Sequence, residues 1–70
     1  MKKGPIDFKQ CSRAALAAGA YFVDEDYAAF TGYRGVSRYV EWLVRNQNVR
    51  VQVWRHGAAW QVRIDPESLY

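Results

Sequence analysis

The stretch "VRVQVWRHGAAWQVRI", residues 49–64, alternates apolar and polar side chains on both sides of a His-Gly break. Successive side chains of a strand point to opposite faces, so two such runs joined by a short glycine-containing turn predict an antiparallel hairpin. A two-residue turn at His56-Gly57 pairs Arg55 with Ala58, Val53 with Trp60, Val51 with Val62 and Val49 with Ile64, which makes one face wholly apolar. A three-residue turn shifts the register by one and mixes the faces. The other face sets Gln52 against Gln61 and Arg50 against Arg63, the second a like-charge pair that is mildly destabilising by itself. Trp54 joins this Arg/Gln face, and Trp60 faces the core.

An apolar hairpin face needs cover, and the upstream sequence supplies helices. Pro5 suits a first helical turn and Gly19 a left-handed stop, which predicts helix one over about residues 5–18 with Phe8, Cys11, Ala15, Ala18 and Leu16 on its apolar side. "AYFV", residues 20–23, reads as a brief strand. Asp24 then reads as an N-cap, with Glu25 and Asp26 in the first turn of helix two, which runs to about residue 30 or 31 and stops at Gly32. The acidic triplet is read as a helix start rather than a metal site. Ser37 is the expected N-cap of helix three, whose core side is Val36, Val40, Leu43 and Val44 with Tyr39 on the edge. Arg38, Glu41, Trp42 and Arg45 fall on the opposite side, with Arg34 in the preceding loop. Glu41 and Arg45, four apart in the favourable order, are expected to pair.

The resulting class is α+β, with element order α-β-α-α-β-β over a single domain, residues 1–70. That is the order of a winged helix-turn-helix, with a C-terminal hairpin as the wing. Half the residues are hydrophobic and 16% aromatic, enough for a compact core in 70 residues. One cysteine, Cys11, excludes an internal disulfide and leaves too few soft ligands for a structural zinc site. No stretch approaches the roughly 18 apolar residues of a membrane span, and the charged start is unlike a signal peptide, so a soluble, cytoplasmic protein is expected.

The net charge is +3, but it is unevenly spread. Residues 34–63 carry Arg34, Arg38, Arg45, Arg50, Arg55 and Arg63 against Glu41 alone. Arginine favours planar, bidentate contacts with phosphates, carboxylates and base edges. No paired carboxylates, nucleophile motif, metal cluster or phosphate-cradling loop is visible, so neither catalysis nor a cofactor is expected. Cys11 reads as a small core residue and His56 as a turn residue.

Residues 22–64 resemble small winged-helix DNA-binding proteins of the excisionase and MerR type. "FVDEDYAAFTGY" resembles the first helix of their helix pair, "SRYVEWLVRN" the recognition helix and "VRVQVWRHGAAWQVRID" the wing, with "YRGVS" as a loop insertion. "FTGYRGVSRYVEWLVRNQ" is also similar in outline to short phage-encoded domains. The resemblance implies base or phosphate contacts from Ser37, Arg38, Glu41, Trp42 and Arg45, and wing contacts from Arg55 and His56. Arg34, Arg50 and Arg63 join them as cations placed to meet a polyanion. The expected partner is double-stranded DNA, bound by an excisionase-like architectural factor or a small transcriptional regulator, together with an integrase or a second copy of the chain. The competing expectation is a phage-encoded inhibitor of anti-CRISPR type that binds a host protein complex, with Trp42 and Trp54 as anchors and Asp24, Glu25 and Asp26 imitating phosphates.

Overall fold

The computed structural model describes residues 7–24, 27–65 and 67. Its elements are α1 (Phe8–Ala18), β1 (Phe22–Val23), β2 (Ala28–Phe30), α2 (Tyr33–Gln47), β3 (Val51–His56) and β4 (Ala59–Ile64). The strands form one antiparallel sheet in the order β1-β2-β4-β3, and both helices lie on one face of it. The α+β class holds. The expected element order does not, because α-β-β-α-β-β replaces α-β-α-α-β-β.

The difference lies in residues 28–30. "AAF" was expected inside a helix capped by Asp24, yet it is a strand paired with β1 on one side and β4 on the other. An isolated helix of eight residues is marginal in water, because nucleation costs more than so few hydrogen bonds return. Pairing with β4 instead sets Ala28 opposite Val62 and Phe30 opposite Trp60, and sends both side chains to the core. The Asp24 amide donates to the carbonyl of Tyr27 at 2.9 Å, so Asp24 stands at a hairpin turn and caps no helix. Glu25 and Asp26 lie outside the described residues, as does Pro5. A helix pair around a tight turn is therefore not built here, and the first element of the expected helix-turn-helix is a strand.

Helix α1 opens on Asp7, whose carboxylate accepts from the amides of Lys9 and Gln10, and closes on Gly19 at φ 109°. The amides of Gly19 and Ala20 return to the carbonyls of Leu16 and Ala15, the paired bonds of a Schellman stop. Cys11 and Ala15 are buried as expected, whereas Phe8 and Leu16 are exposed, so the buried stripe of α1 is narrower than its apolar sequence.

Helix α2 begins at Tyr33, a full turn before the expected start. Gly32 occupies its N-cap without a side-chain bond, and "YRGVS" is its first turn rather than a loop. Ser37 is an exposed residue inside the helix and caps nothing. The buried stripe is Val36, Tyr39 and Leu43, with Val40 and Trp42 partly buried on its flanks. Val44, expected in the core, is 49% exposed. Trp42, expected on the solvent side, packs against the core, because α2 is flanked by α1 as well as seated on the sheet and so buries a wider arc. The close seating has a local condition at Gly35, where a Cβ would meet the Ala18 carbonyl oxygen at 2.6 Å and Phe30 Cδ2 at 2.8 Å.

The β3–β4 hairpin forms with the predicted faces and a different register. Its loop is Gly57-Ala58, with His56 opposite Ala59, Arg55 opposite Trp60, Val53 opposite Val62 and Val51 opposite Ile64. Gly57 at φ 63° supplies the positive φ that a type II′ turn needs at its first loop position. Sliding a two-residue turn by one position moves every cross-strand partner by two, so each side chain keeps its face. The covered face is Val51, Trp60, Val62 and Ile64 with Ala28 and Phe30, against α1 and α2.

Candidate nucleic-acid interface

Steps of four, three and four residues place Arg34, Arg38, Glu41 and Arg45 on a single stripe of α2, opposite Val36, Tyr39 and Leu43. All four are exposed, and Ser37 lies beside them. The eleven helical rises from Arg34 to Arg45 span about 16 Å, so the stripe is a rod of cations interrupted by one carboxylate. That carboxylate is engaged: Glu41 Oε1 lies 3.3 Å from Arg45 Nη1, the pairing expected from the sequence. With both partners in solvent the pair contributes little to stability. Arg45 also sits in the last turn, where the helix dipole favours a cation.

The hairpin cations divide among three places. Arg55 lies at the tip on the helix side of the sheet, its Nε donating to the Gly57 carbonyl at 3.2 Å and its Cζ 5.7 Å from the centre of the Trp60 ring. Trp60 meets Tyr33 edge-on, with ring centres 5.1 Å apart. Because Tyr33 begins α2, these contacts bring the hairpin tip to the start of the arginine stripe. Trp60 is thus partly buried on the covered face as expected, but its partners are Arg55 and Tyr33 instead of Val53.

His56 and Arg63 belong to the other face, which neither α1 nor α2 covers. The register correction removes the expected opposition of Arg50 and Arg63. Gln52 stands opposite Arg63 and accepts from its Nε at 2.7 Å, and Trp54 stands opposite Gln61. Arg50 lies just before β3, 3.9 Å from Glu67, and its carbonyl accepts the Asp65 amide. It is therefore separated from the stripe and from the hairpin tip.

Trp54 remains on the Arg/Gln face, where its ring lies 6.4 Å from Tyr27, which in turn lies 5.4 Å from Phe22. Tyr27, Phe22 and Tyr33 were missed in the sequence. The first two follow from reading residues 20–30 as a hairpin, since Phe22, Tyr27 and Ala29 then share the alternation that sets Trp54 outward. Of the acidic triplet, Asp24 is exposed at the β1–β2 turn.

Cys11 is buried, and its thiol is pushed up by that burial and by the charge of Asp7, which leaves it protonated at neutral pH. Tyr39 is pushed up to about 12, mainly by burial and then by Cys11. Among the described residues no group of three or more His, Cys, Asp or Glu could hold a metal ion, and no helix is long and apolar enough to cross a membrane. In comparisons with protein families, curated proteins and solved structures, no family model, curated protein or structure matches the chain.

Proposed function

We propose that the chain is a non-catalytic DNA-binding protein that presents the arginine stripe of α2 to a duplex. The observation that carries this reading is the exposure of Arg34, Arg38 and Arg45 on one side of a helix whose other side is buried against α1 and the sheet. Guanidinium groups reach phosphates at any sequence and the guanine edge in the major groove, and a helix of 15 residues fits that groove. The winged-helix arrangement enters in reduced form, with α2 as the groove helix and the β3–β4 tip, held near its start through Arg55, Trp60 and Tyr33, as the neighbouring backbone contact. Such a protein serves as an excisionase-like architectural factor or a small transcriptional regulator of a phage or mobile element. One small domain covers limited DNA, so high occupancy draws on an integrase or a second copy. The alternative, an inhibitor of a host protein anchored by Trp42 and Trp54, loses its helix anchor because Trp42 packs against the core.

The test is anisotropy of a labelled duplex pool across a salt series, for the protein and for a variant combining Arg34→Gln, Arg38→Gln and Arg45→Gln. The expected result is duplex binding whose log-log salt slope weakens by about 0.9 for each arginine–phosphate contact removed. A variant with the slope and affinity of the parent overturns the assignment to α2.

A further inference from the structure

The two edges of the sheet are unlike. On one side it ends on β1, a strand of two residues, too short to template another strand. On the other it ends on β3, six residues long, free of proline and without a bulge in its pairing with β4. His56 and Ala59 close the two-residue loop, which puts His56, Trp54 and Gln52 in hydrogen-bonded pairs with β4. The bond from the Asp65 amide to the Arg50 carbonyl continues the same alternation. The amides and carbonyls of Val51, Val53 and Arg55 therefore point away from β4, and among the described residues no strand pairs with them. Their side chains belong to the helix side of the sheet. Helix α1 packs over β1 and α2 mainly over β4, so the side of α2 turned from α1 overlooks the β3 edge. Helical spacing gives that side Val40 and Val44, opposite Gly35 with its contact to α1. Val44 and Val53 are exposed, the latter by 39%, and Val40 and Val51 are half-buried.

We propose that β3 is the pairing edge for a second copy of this chain, joined antiparallel about a two-fold axis at Val53 so that two four-stranded sheets become one. Water satisfies the backbone of an open edge, so the new hydrogen bonds set the geometry and burial of the apolar margin supplies the drive. Register selects the second copy as occupant. Centring on Val53 lets Val51, Val53 and Arg55 of both copies exchange bonds. Val53 then meets its own counterpart, Val51 meets Arg55 of the second copy, Gln52 meets Trp54 and Arg50 meets His56. No two arginines face one another, although Arg50 and Arg55 both lie along this segment. The helices agree with this arrangement. With each α2 over its own β4, the two stand side by side three strand spacings or about 14 Å apart, against a diameter of about 10–12 Å with side chains. Val40 and Val44 of each copy then close over the paired Val53 residues, and the apolar groups that a single copy leaves in water are withdrawn from it. The pairing does not depend on duplex binding, yet it sets both arginine stripes on the same outer side of the dimer.

The experiment is sedimentation equilibrium of the full chain in the absence of nucleic acid. One strand edge with its flanking valines is a small interface, so a dissociation constant of about 10–100 µM is expected, read as a shift from monomer to dimer mass across about 5–500 µM. Val53→Lys sets like charges against each other on the axis and is expected to stay monomeric over that range, with circular dichroism establishing that it is folded. Added Val53→Glu is expected to draw labelled Val53→Lys into a mixed dimer, a rescue that requires the two positions to face one another. In the parent chain, which needs no substitution, amide hydrogen exchange at Val51, Val53 and Arg55 is expected to slow as the concentration rises. Leu16→Lys, on an exposed position of α1, is expected to dimerise like the parent. A parent that is monomeric at the highest concentration overturns the proposal. So does a dimer that Val53→Lys leaves intact or Leu16→Lys abolishes, a mixture that stays monomeric, or exchange at those amides that ignores concentration. None of these readings involves nucleic acid, so their failure leaves the duplex assay standing, and a failed duplex assay leaves the dimer.

Discussion

The two faces of the sheet are made from the same strands and hold themselves dry by different means. The covered face sets Ala28 beside Phe30 and Val62 beneath α1 and α2, small against large, so the helices come close enough to exclude water from these three side chains, although Val53 near the hairpin tip on the same face stays 39% exposed. Among the described residues, the open face has only its own side chains for cover. Ala29 on that side is as well buried as Ala28 on the other, at 2% each, yet what lies over it is the neighbourhood of Phe22 and the aromatic track it forms with Tyr27 and Trp54. One face is therefore a core in the ordinary sense. The other is a layer one side chain thick, which contributes burial but keeps ring edges and faces within reach of solvent.

The sharpest way to break this contrast is a matched pair of truncations on neighbouring strands. Phe30→Ala empties a position 1% exposed and is expected to cost about 3–5 kcal/mol. A 70-residue domain has about 4–10 kcal/mol in total, so this variant is expected to be partly unfolded at ambient temperature. Phe22→Ala, starting from a ring nearly half in solvent, is expected to cost less than about 1.5 kcal/mol. Urea unfolding of both variants gives the comparison directly. Similar losses would show that the open face is a second core, and would erase the contrast between the two.

The contrast also explains which parts of the fold were legible in the sequence. Alternation over residues 49–64 was readable because period two survives a slip of two in register, so the faces were recovered although every partner was displaced. Gly19 and the Glu41–Arg45 pair were readable because each depends only on residues within one helical turn. Strand β2 was not, since "AAF" has no strand character of its own and acquires it by pairing with β4, far away in the chain. Trp42 was misplaced because helical spacing puts it on the flank of the buried arc, where the number of neighbouring elements decides its burial. The stripe of Arg34, Arg38, Glu41 and Arg45 was visible in outline, but Arg34 was assigned to a loop because Gly32 caps α2 without a side-chain signal. The aromatic track could not be assembled from spacing alone, since Phe22 and Tyr27 meet Trp54 only in the folded sheet.

A second prediction uses a group on the covered side. Burial raises Tyr39 to about 12 from an ordinary value of 10, so the phenol stays protonated in the fold after it would ionise in the unfolded chain. Its contribution is fully present below pH 10 and is lost as the pH rises from 10 through 12, because the unfolded state releases the proton first. Two pH units correspond to about 2.7 kcal/mol. Thermal melts at pH 9, 10, 11 and 12 are expected to show a fall in stability that Tyr39→Phe reduces by roughly that amount, with little difference between the two proteins at pH 7. Parallel curves for the two proteins would mean that the hydroxyl reaches water and that this side of the core is looser than its packing suggests.

The smallest expected effect tests how closely the covering layer is seated. Alanine is worth about 1 kcal/mol more than glycine inside a helix, so Gly35→Ala stabilises α2 by itself. Against that, the new methyl group would stand 2.6 Å from the Ala18 carbonyl oxygen and 2.8 Å from the Phe30 ring. The ring can turn aside, but the carbonyl belongs to the backbone at the end of α1, so relief requires one helix to move relative to the other. Overpacking of this kind costs about 1–3 kcal/mol, which leaves a net loss of roughly 1 kcal/mol after the gain in helix propensity. Denaturant midpoints at constant slope measure it. A net gain would show that α1 and α2 slide apart at little cost, in which case the covered face holds together through the sheet alone and the contact at Gly35 is incidental to it.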